Sequence, residues 1–158
     1  MTKLTKALYY GGVAMSEFET CLNERKIVKI KASTKMIEKE IDSAEYDLAR
    51  ARESLSHNDY KWASVQAYYS MFHSAKALVL NKGYREKSHY CLLVALKELY
   101  VETGELEKGF ADNFEMCMDI RQEADYGLTY STTSAELSIE YAEKLLEATK
   151  NILGFKLS

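Results

Sequence analysis

The sequence predicts an all-α protein, an up-and-down bundle of five to six helices. Three observations carry this. Proline is absent and glycine occurs only seven times in 158 residues, although sheets and loop-rich folds lean on both for their turns. Apolar residues recur at alternating spacings of three and four along several segments, the period of a helix with one face in a core. The polar breaks between these segments are short, as connections in a bundle are.

The elements follow in order. Residues 13–29 are expected to be helical, though this stretch has the weakest pattern. Ser33 and Thr34 form an N-cap signal, after which Ile37, Ile41, Ala44, Leu48, Ala51 and Leu55 define one stripe of a helix over 34–56. His57-Asn58-Asp59 interrupts it, and Asp59 caps a helix that runs to Asn81 and stops at Gly83. Its core stripe is Val65, Tyr68, Phe72, Ala75 and Val79, widened by Trp62, Tyr69 and Leu80, so this helix should be central. Residues 83–87 read as a polar turn. Ser88 then caps a helix over 89–103 that Gly104 closes, a further helix spans 109–126, and a last one follows the turn containing Thr132, Thr133 and Ser134.

At 47% hydrophobic and 28% charged residues the chain has the balance of one ordinary globular domain. Its net charge of -3 excludes a protein that is basic all over. The charge is unevenly spread, however. Residues 1–90 hold fifteen Lys/Arg against eleven Asp/Glu, and residues 91–158 hold six against thirteen, so a phosphate backbone can be met only by a local patch. Cys21, Cys91 and Cys117 are odd in number, far apart and not at ligand spacing from His57, His73 or His89. The expectation is free, buried thiols in a reducing, cytoplasmic setting, with neither disulfide framework nor zinc site. Lys3 and Lys6 precede an apolar run from Ala7 to Met15, but no small-residue cleavage site follows, which argues against a secretory signal. No stretch approaches the ~20 apolar residues of a membrane span.

One residue breaks the pattern. Phe110, Phe114, Cys117 and Ala124 share a stripe, and Arg121 falls on it where an apolar side chain is expected. A guanidinium there must be paired or face a cleft, since an isolated buried charge is too costly. Asp125, one turn on, can pair with it. Two readings stand: an ordinary pair at the core's edge, or a cleft arginine presenting planar donors to phosphate.

Three segments together, Ala67-Tyr68-Tyr69-Ser70-Met71-Phe72-His73-Ser74-Ala75-Lys76-Ala77-Leu78, Gly83-Tyr84-Arg85-Glu86-Lys87-Ser88-His89 and Arg121-Gln122-Glu123-Ala124-Asp125-Tyr126-Gly127, resemble one branch of the HEPN family. The resemblance covers about residues 16–150, leaving 1–15 as an N-terminal extension to a helical domain over 16–158. It implies a helical bundle that dimerises and sets an Arg-x4-6-His motif from each subunit in a shared cleft. Many such proteins are metal-independent ribonucleases, and many are toxins paired with a minimal nucleotidyltransferase. By position the motif arginine is Arg121, Gln122 is the polar residue after it, and Tyr126 stands where the histidine would be.

That departure has a chemical consequence. Metal-free RNA cleavage needs a base for the 2′-hydroxyl, an acid for the leaving oxygen and positive charge at the phosphate. A tyrosine of pKa ~10 is ionised in about one molecule per thousand at pH 7, so Tyr126 is a poor base, though it can donate a proton. The resemblance thus leaves a weak nuclease, a nuclease borrowing another histidine, or a binding subunit that presents nucleotide to its partner. The candidate catalytic residues are Arg121, Asp125 and Tyr126. His89 is the best histidine to borrow: it opens a helix beside Arg85, Lys87 and Ser88, a segment that reads either as a solvated basic turn with a capping serine or as a place where helix-terminal N–H groups and two cations favour an anion. His73, flanked by Met71, Phe72 and Ala75, reads as a satisfied core histidine, and the basic segment around Arg25, Lys26, Lys29 and Lys31 as a solvated face. RNA or nucleotide, a second copy and a nucleotidyltransferase are the expected partners. No cofactor, metal or membrane is expected.

Overall fold

A computed structural model describes residues 8–10, 13–125 and 131–155, with side chains for 15–122 and 131–155. Six α-helices dominate the described residues: α1 (Glu17–Asn23), α2 (Thr34–Ser56), α3 (Tyr60–Asn81), α4 (His89–Leu96), α5 (Lys108–Asp125) and α6 (Thr132–Leu153). The all-α bundle expected from the sequence is what forms.

The helix starts follow from capping chemistry. Ser16, Ser33, Asp59, Ser88 and Ser131 each sit just before a helix and accept a hydrogen bond from the backbone N–H three residues on. Each cap satisfies a donor that the helix itself leaves orphaned. The sequence anticipated three of them. At 131–134 the outcome differs: the Thr132–Ser134 stretch, expected as a turn, is already the first turn of α6, because Ser131 takes the capping role.

Helix α3 occupies the centre, packed by α2, α4, α5 and α6. Its buried set runs almost around the cylinder, from Ala63, Ala67 and Ser70 to Tyr68, Met71, Leu78 and Val79. A helix that is apolar nearly all round belongs in a core. Small residues let α2 approach closely, and the buried Ser70 hydroxyl donates to the Ala44 carbonyl at 2.8 Å. On α2, Ile41, Ala44, Leu48 and Ala51 are buried as the stripe required. Trp62 is not part of the core: it is 52% exposed, although Ala63 beside it is fully buried.

Three other expectations need correction. Residues 13–29 are not one helix but strand β2 (Val13–Met15, paired with β1, Leu8–Tyr10), the short α1, and strand β3 (Ile27–Lys29). The polar turn at 83–87 is strand β4 (Tyr84–Glu86), antiparallel to β3 with Val28 opposite Arg85. Gly83, at φ +87°, makes the bend into it and accepts from the Ile30 N–H at 3.0 Å. The helix expected over 89–103 leaves α geometry after Leu96 for a π-helical segment, Lys97–Val101. This brings fully buried Tyr100 to donate to the Leu78 carbonyl at 2.5 Å.

The cysteines also divide differently from expectation. Cys117 is free and buried, but Cys21 and Cys91 form a disulfide between α1 and α4. Their 70-residue separation says nothing about proximity, whereas the β3–β4 pairing brings the two helices side by side. Among the described residues, no helix is long and apolar enough to cross a membrane.

Candidate functional site

The residues of α3 that escape full burial include Gln66, Tyr69, Phe72, His73 and Lys76, spaced three and four apart along one stripe. Three neighbouring elements bring chemistry to that stripe. Helix α5 contributes Arg121, α4 opens against it with His89, and α2 adds Glu40 and Asp47.

Arg121 is partly buried on the edge of the core. Its Nη2 donates to the Tyr69 hydroxyl at 3.1 Å, and its guanidinium carbon lies 5.5 Å and 5.8 Å from the ring centres of Tyr69 and Tyr68. Aromatic faces hold a cation by their quadrupole without neutralising it. Of the two readings that the sequence left open, the pair with Asp125 falls on a side chain outside the described residues, while the tyrosines hold the arginine at the core's edge.

His89 joins the same cluster. Its Nδ1 and the buried Tyr68 hydroxyl are hydrogen-bonded at 2.6 Å, and its ring packs on Phe72 with centroids 4.5 Å apart. Burial holds the imidazole's pKa below the ordinary 6.5, with the charges of Arg121 and Lys76 adding to the effect. His89 is therefore neutral at pH 7, the form in which an imidazole accepts a proton. Burial pushes the Tyr68 phenol well above its ordinary range, although Arg121 opposes this, so the phenol keeps its proton.

His73 is not the core histidine that its neighbours suggested. It is satisfied, but by carboxylates at the α2–α3 edge: Nδ1 lies 2.6 Å from Glu40 and Nε2 3.5 Å from Asp47. Lys76 stands 3.5 Å from both Glu40 and Glu86. Burial alone would raise the Glu40 carboxyl, but the hydrogen bond from His73 and the charge of Lys76 bring it below its usual value. Asp47 goes the other way, raised by burial against the opposing effect of His73. Beside them opens a concavity of about 420 Å³ lined by Lys39, Asp42, Ser43, Tyr46, Asp47 and His73.

The other anticipated residues distribute as follows. Asp125 ends α5, but its side chain and all of Tyr126 lie outside the described residues. Ser88 is engaged by the Cys91 N–H as the α4 cap. Arg85 and Lys87 are exposed on and just after β4, while His89 turns inward to the aromatic cluster. Sequence reasoning missed Tyr69 as the arginine's partner, and Glu40 and Asp47 as those of His73. The signal was present: residues 69, 72, 73 and 76 share one helical stripe, too polar in sum for a core face. Among the described residues no group of His, Cys, Asp and Glu is placed to hold a metal ion.

Comparison with known proteins gives a consistent result. The HEPN domain family model matches residues 37–157. Two Methanocaldococcus jannaschii proteins, each described as a "Putative toxin", are similar to this chain. One is 32% identical over 114 residues, covering 72% of this chain and 85% of the relative; the other is 33% identical over 110 residues, covering 70% and 71%. A UPF0332 protein of Archaeoglobus fulgidus is 31% identical over 121 residues, covering 75% of this chain and 95% of its own. In fold, the chain is similar to the crystal structure of TT1696 from Thermus thermophilus, with a TM-score of 0.63 at 20% identity, covering 73% of this chain and 97% of that one.

Proposed function

The chain belongs to the HEPN domain family, and from that premise we propose that it is a toxin-type, metal-independent RNA-cleaving protein whose phosphate-binding group is Arg121. The observation that carries this reading is the convergence of His89 and Arg121 on the same two tyrosines, Tyr68 and Tyr69. The family motif's histidine position holds Tyr126, and His89 supplies a neutral imidazole in its place. Arg121, held between aromatic faces, binds the phosphate and stabilises the charge that grows on it. His89 takes the 2′-hydroxyl proton, and Tyr126 or a neighbouring acid returns one to the leaving oxygen. Asp125 orients Arg121 from one helical turn away. The protein works as a homodimer with a minimal nucleotidyltransferase as its partner. An RNA-directed role puts it in the cytoplasm, where Cys21 and Cys91 would meet reductant.

The test is cleavage of total and transfer RNA in the presence of a chelator by the wild type, Arg121→Ala and His89→Ala. Both variants are expected to lose at least ~10²-fold in rate. Equal cleavage by all three would remove the site from the reaction. Tyr126 in the histidine position favours a second reading, a non-catalytic subunit that presents nucleotide to the partner enzyme. Heat of mononucleotide binding and stoichiometric association with a nucleotidyltransferase, with no RNA lost, would favour it over the first.

A further inference from the structure

The two basic segments that the sequence separates by some sixty positions lie against each other. Lys26 immediately precedes strand β3, β4 carries Arg85, and the Lys87 N–H donates to the Lys26 carbonyl at 2.8 Å, so these two lysines stand opposite each other across the ribbon. Side chains alternate along a strand. Ile27 and Glu86 face the protein, Ile27 being 1% exposed, and this turns Lys26, Val28, Arg85 and Lys87 to the other face. Lys26, Arg85 and Lys87 are exposed, as are Arg25, Lys29 and Lys31 around them. Of the nearby acids, Glu24 pairs with Lys26 at 3.0 Å and Glu86 is drawn inward to Lys76.

Like charges directly opposite one another destabilise a strand pair, and here two lysines take that position with an arginine beside them. Such a choice, in a chain of net charge -3, is explained by an anion that covers the face. Strand β4 ends at Glu86 and His89 follows three residues later, so the cationic face and the aromatic cluster are close neighbours along the chain, which suits one polyanion, a nucleic-acid strand.

We propose that the outer face of the β3–β4 ribbon, through Lys26, Arg85 and Lys87, binds successive phosphates of a single-stranded RNA whose reacting phosphate sits at Arg121. The second half rests on the function proposed above; the first does not. Phosphate contacts carry no base information, so the ribbon positions the strand and leaves any sequence preference to the cluster.

The measurement is the binding of a fluorescent single-stranded RNA 12-mer to the full chain, by anisotropy, between 50 and 300 mM salt. The variant is Lys26→Gln/Arg85→Gln/Lys87→Gln, three exposed positions whose replacement relieves the repulsion between the opposed lysines and should not lower the melting temperature. Each lost contact flattens the slope of log affinity against log salt by about 0.7, so the triple variant should lose about 2 from it. A DNA 12-mer of the same sequence should give the same loss. An unchanged slope overturns the proposal. So does an acidic polypeptide such as polyglutamate binding as tightly as RNA with the same dependence on the three residues, which would mark the face as a protein-docking surface. The outcomes separate the two hypotheses. A flattened slope with an Arg121→Ala variant that still cleaves keeps the ribbon and removes the cleavage site; an unaltered slope with a dead Arg121→Ala variant does the reverse.

Discussion

The two sides of α3 are made to different specifications. The side toward α2 and α6 is small and tightly packed, with Ala63, Ala67, Ser70, Ser74 and Ala77 at 2% exposure or less. The neighbouring stripe carries Tyr69, Phe72, His73 and Lys76, every one left partly exposed and all but Phe72 bonded to a charged or polar partner from another element. A helix whose sole task was to fill the core would have no need of the second stripe. Large aromatic surface combined with unburied polar tips suits a binding face, and the contrast separates residues that hold the fold from those of the candidate site.

Substitutions sharpen this contrast when they move one property and leave the other. Met71→Ala, on the packed side, should cost ~2–5 kcal/mol and lower the melting temperature by roughly 5–15 °C, read by calorimetry, with the rate per folded molecule unchanged. Tyr69→Phe, on the other side, removes the hydroxyl that accepts from Arg121. RNA turnover should fall by about tenfold while the melting temperature holds; a large drop in stability instead would mean that the stripe is structural. Ser70→Ala leaves the Ala44 carbonyl short of its side-chain donor, at a cost of about 1 kcal/mol in chemical denaturation.

The pH dependence follows from His89. Its folded-state pKa lies below the ordinary 6.5, chiefly through burial and then through Arg121 and Lys76, so unfolding favours proton uptake. Its contribution is intact above pH 6.5 and is lost as pH falls through that value toward the lower folded one. A His89→Gln variant should therefore lose less stability than the wild type between pH 7 and 5, and identical profiles would contradict the assignment. The smallest effect belongs to Trp62→Ala. It is expected to stay within about 0.5 kcal/mol, because the ring is already half in water.

Much of the bundle was legible because a helix writes its buried face into local spacing. Ile41, Ala44, Leu48 and Ala51 needed no partner to be recognised. What escaped depended on partners far along the chain. Strands of three residues are too short to show alternation, and β3 and β4 exist only through each other. Trp62 matched the periodicity, but periodicity does not report which positions of a turn the neighbouring elements cover. Arg121 was legible as an exception to its stripe, yet its aromatic cradle was not, since Tyr69 lies 52 positions away. His73 was misjudged for the same reason: its flanking residues are apolar, and the carboxylates that satisfy it belong to another helix.

The Cys21–Cys91 crosslink has a practical corollary for anyone handling the protein. It closes a loop of about seventy residues, which on a chain-entropy view is worth about 4 kcal/mol in the unfolded state. Samples prepared with and without dithiothreitol are then two materials, separated by roughly 10 °C in melting temperature. The bond fastens α1, just before one ribbon strand, to α4, just after the other. Oxidation history thus becomes a variable to be fixed before any two measurements of affinity are compared.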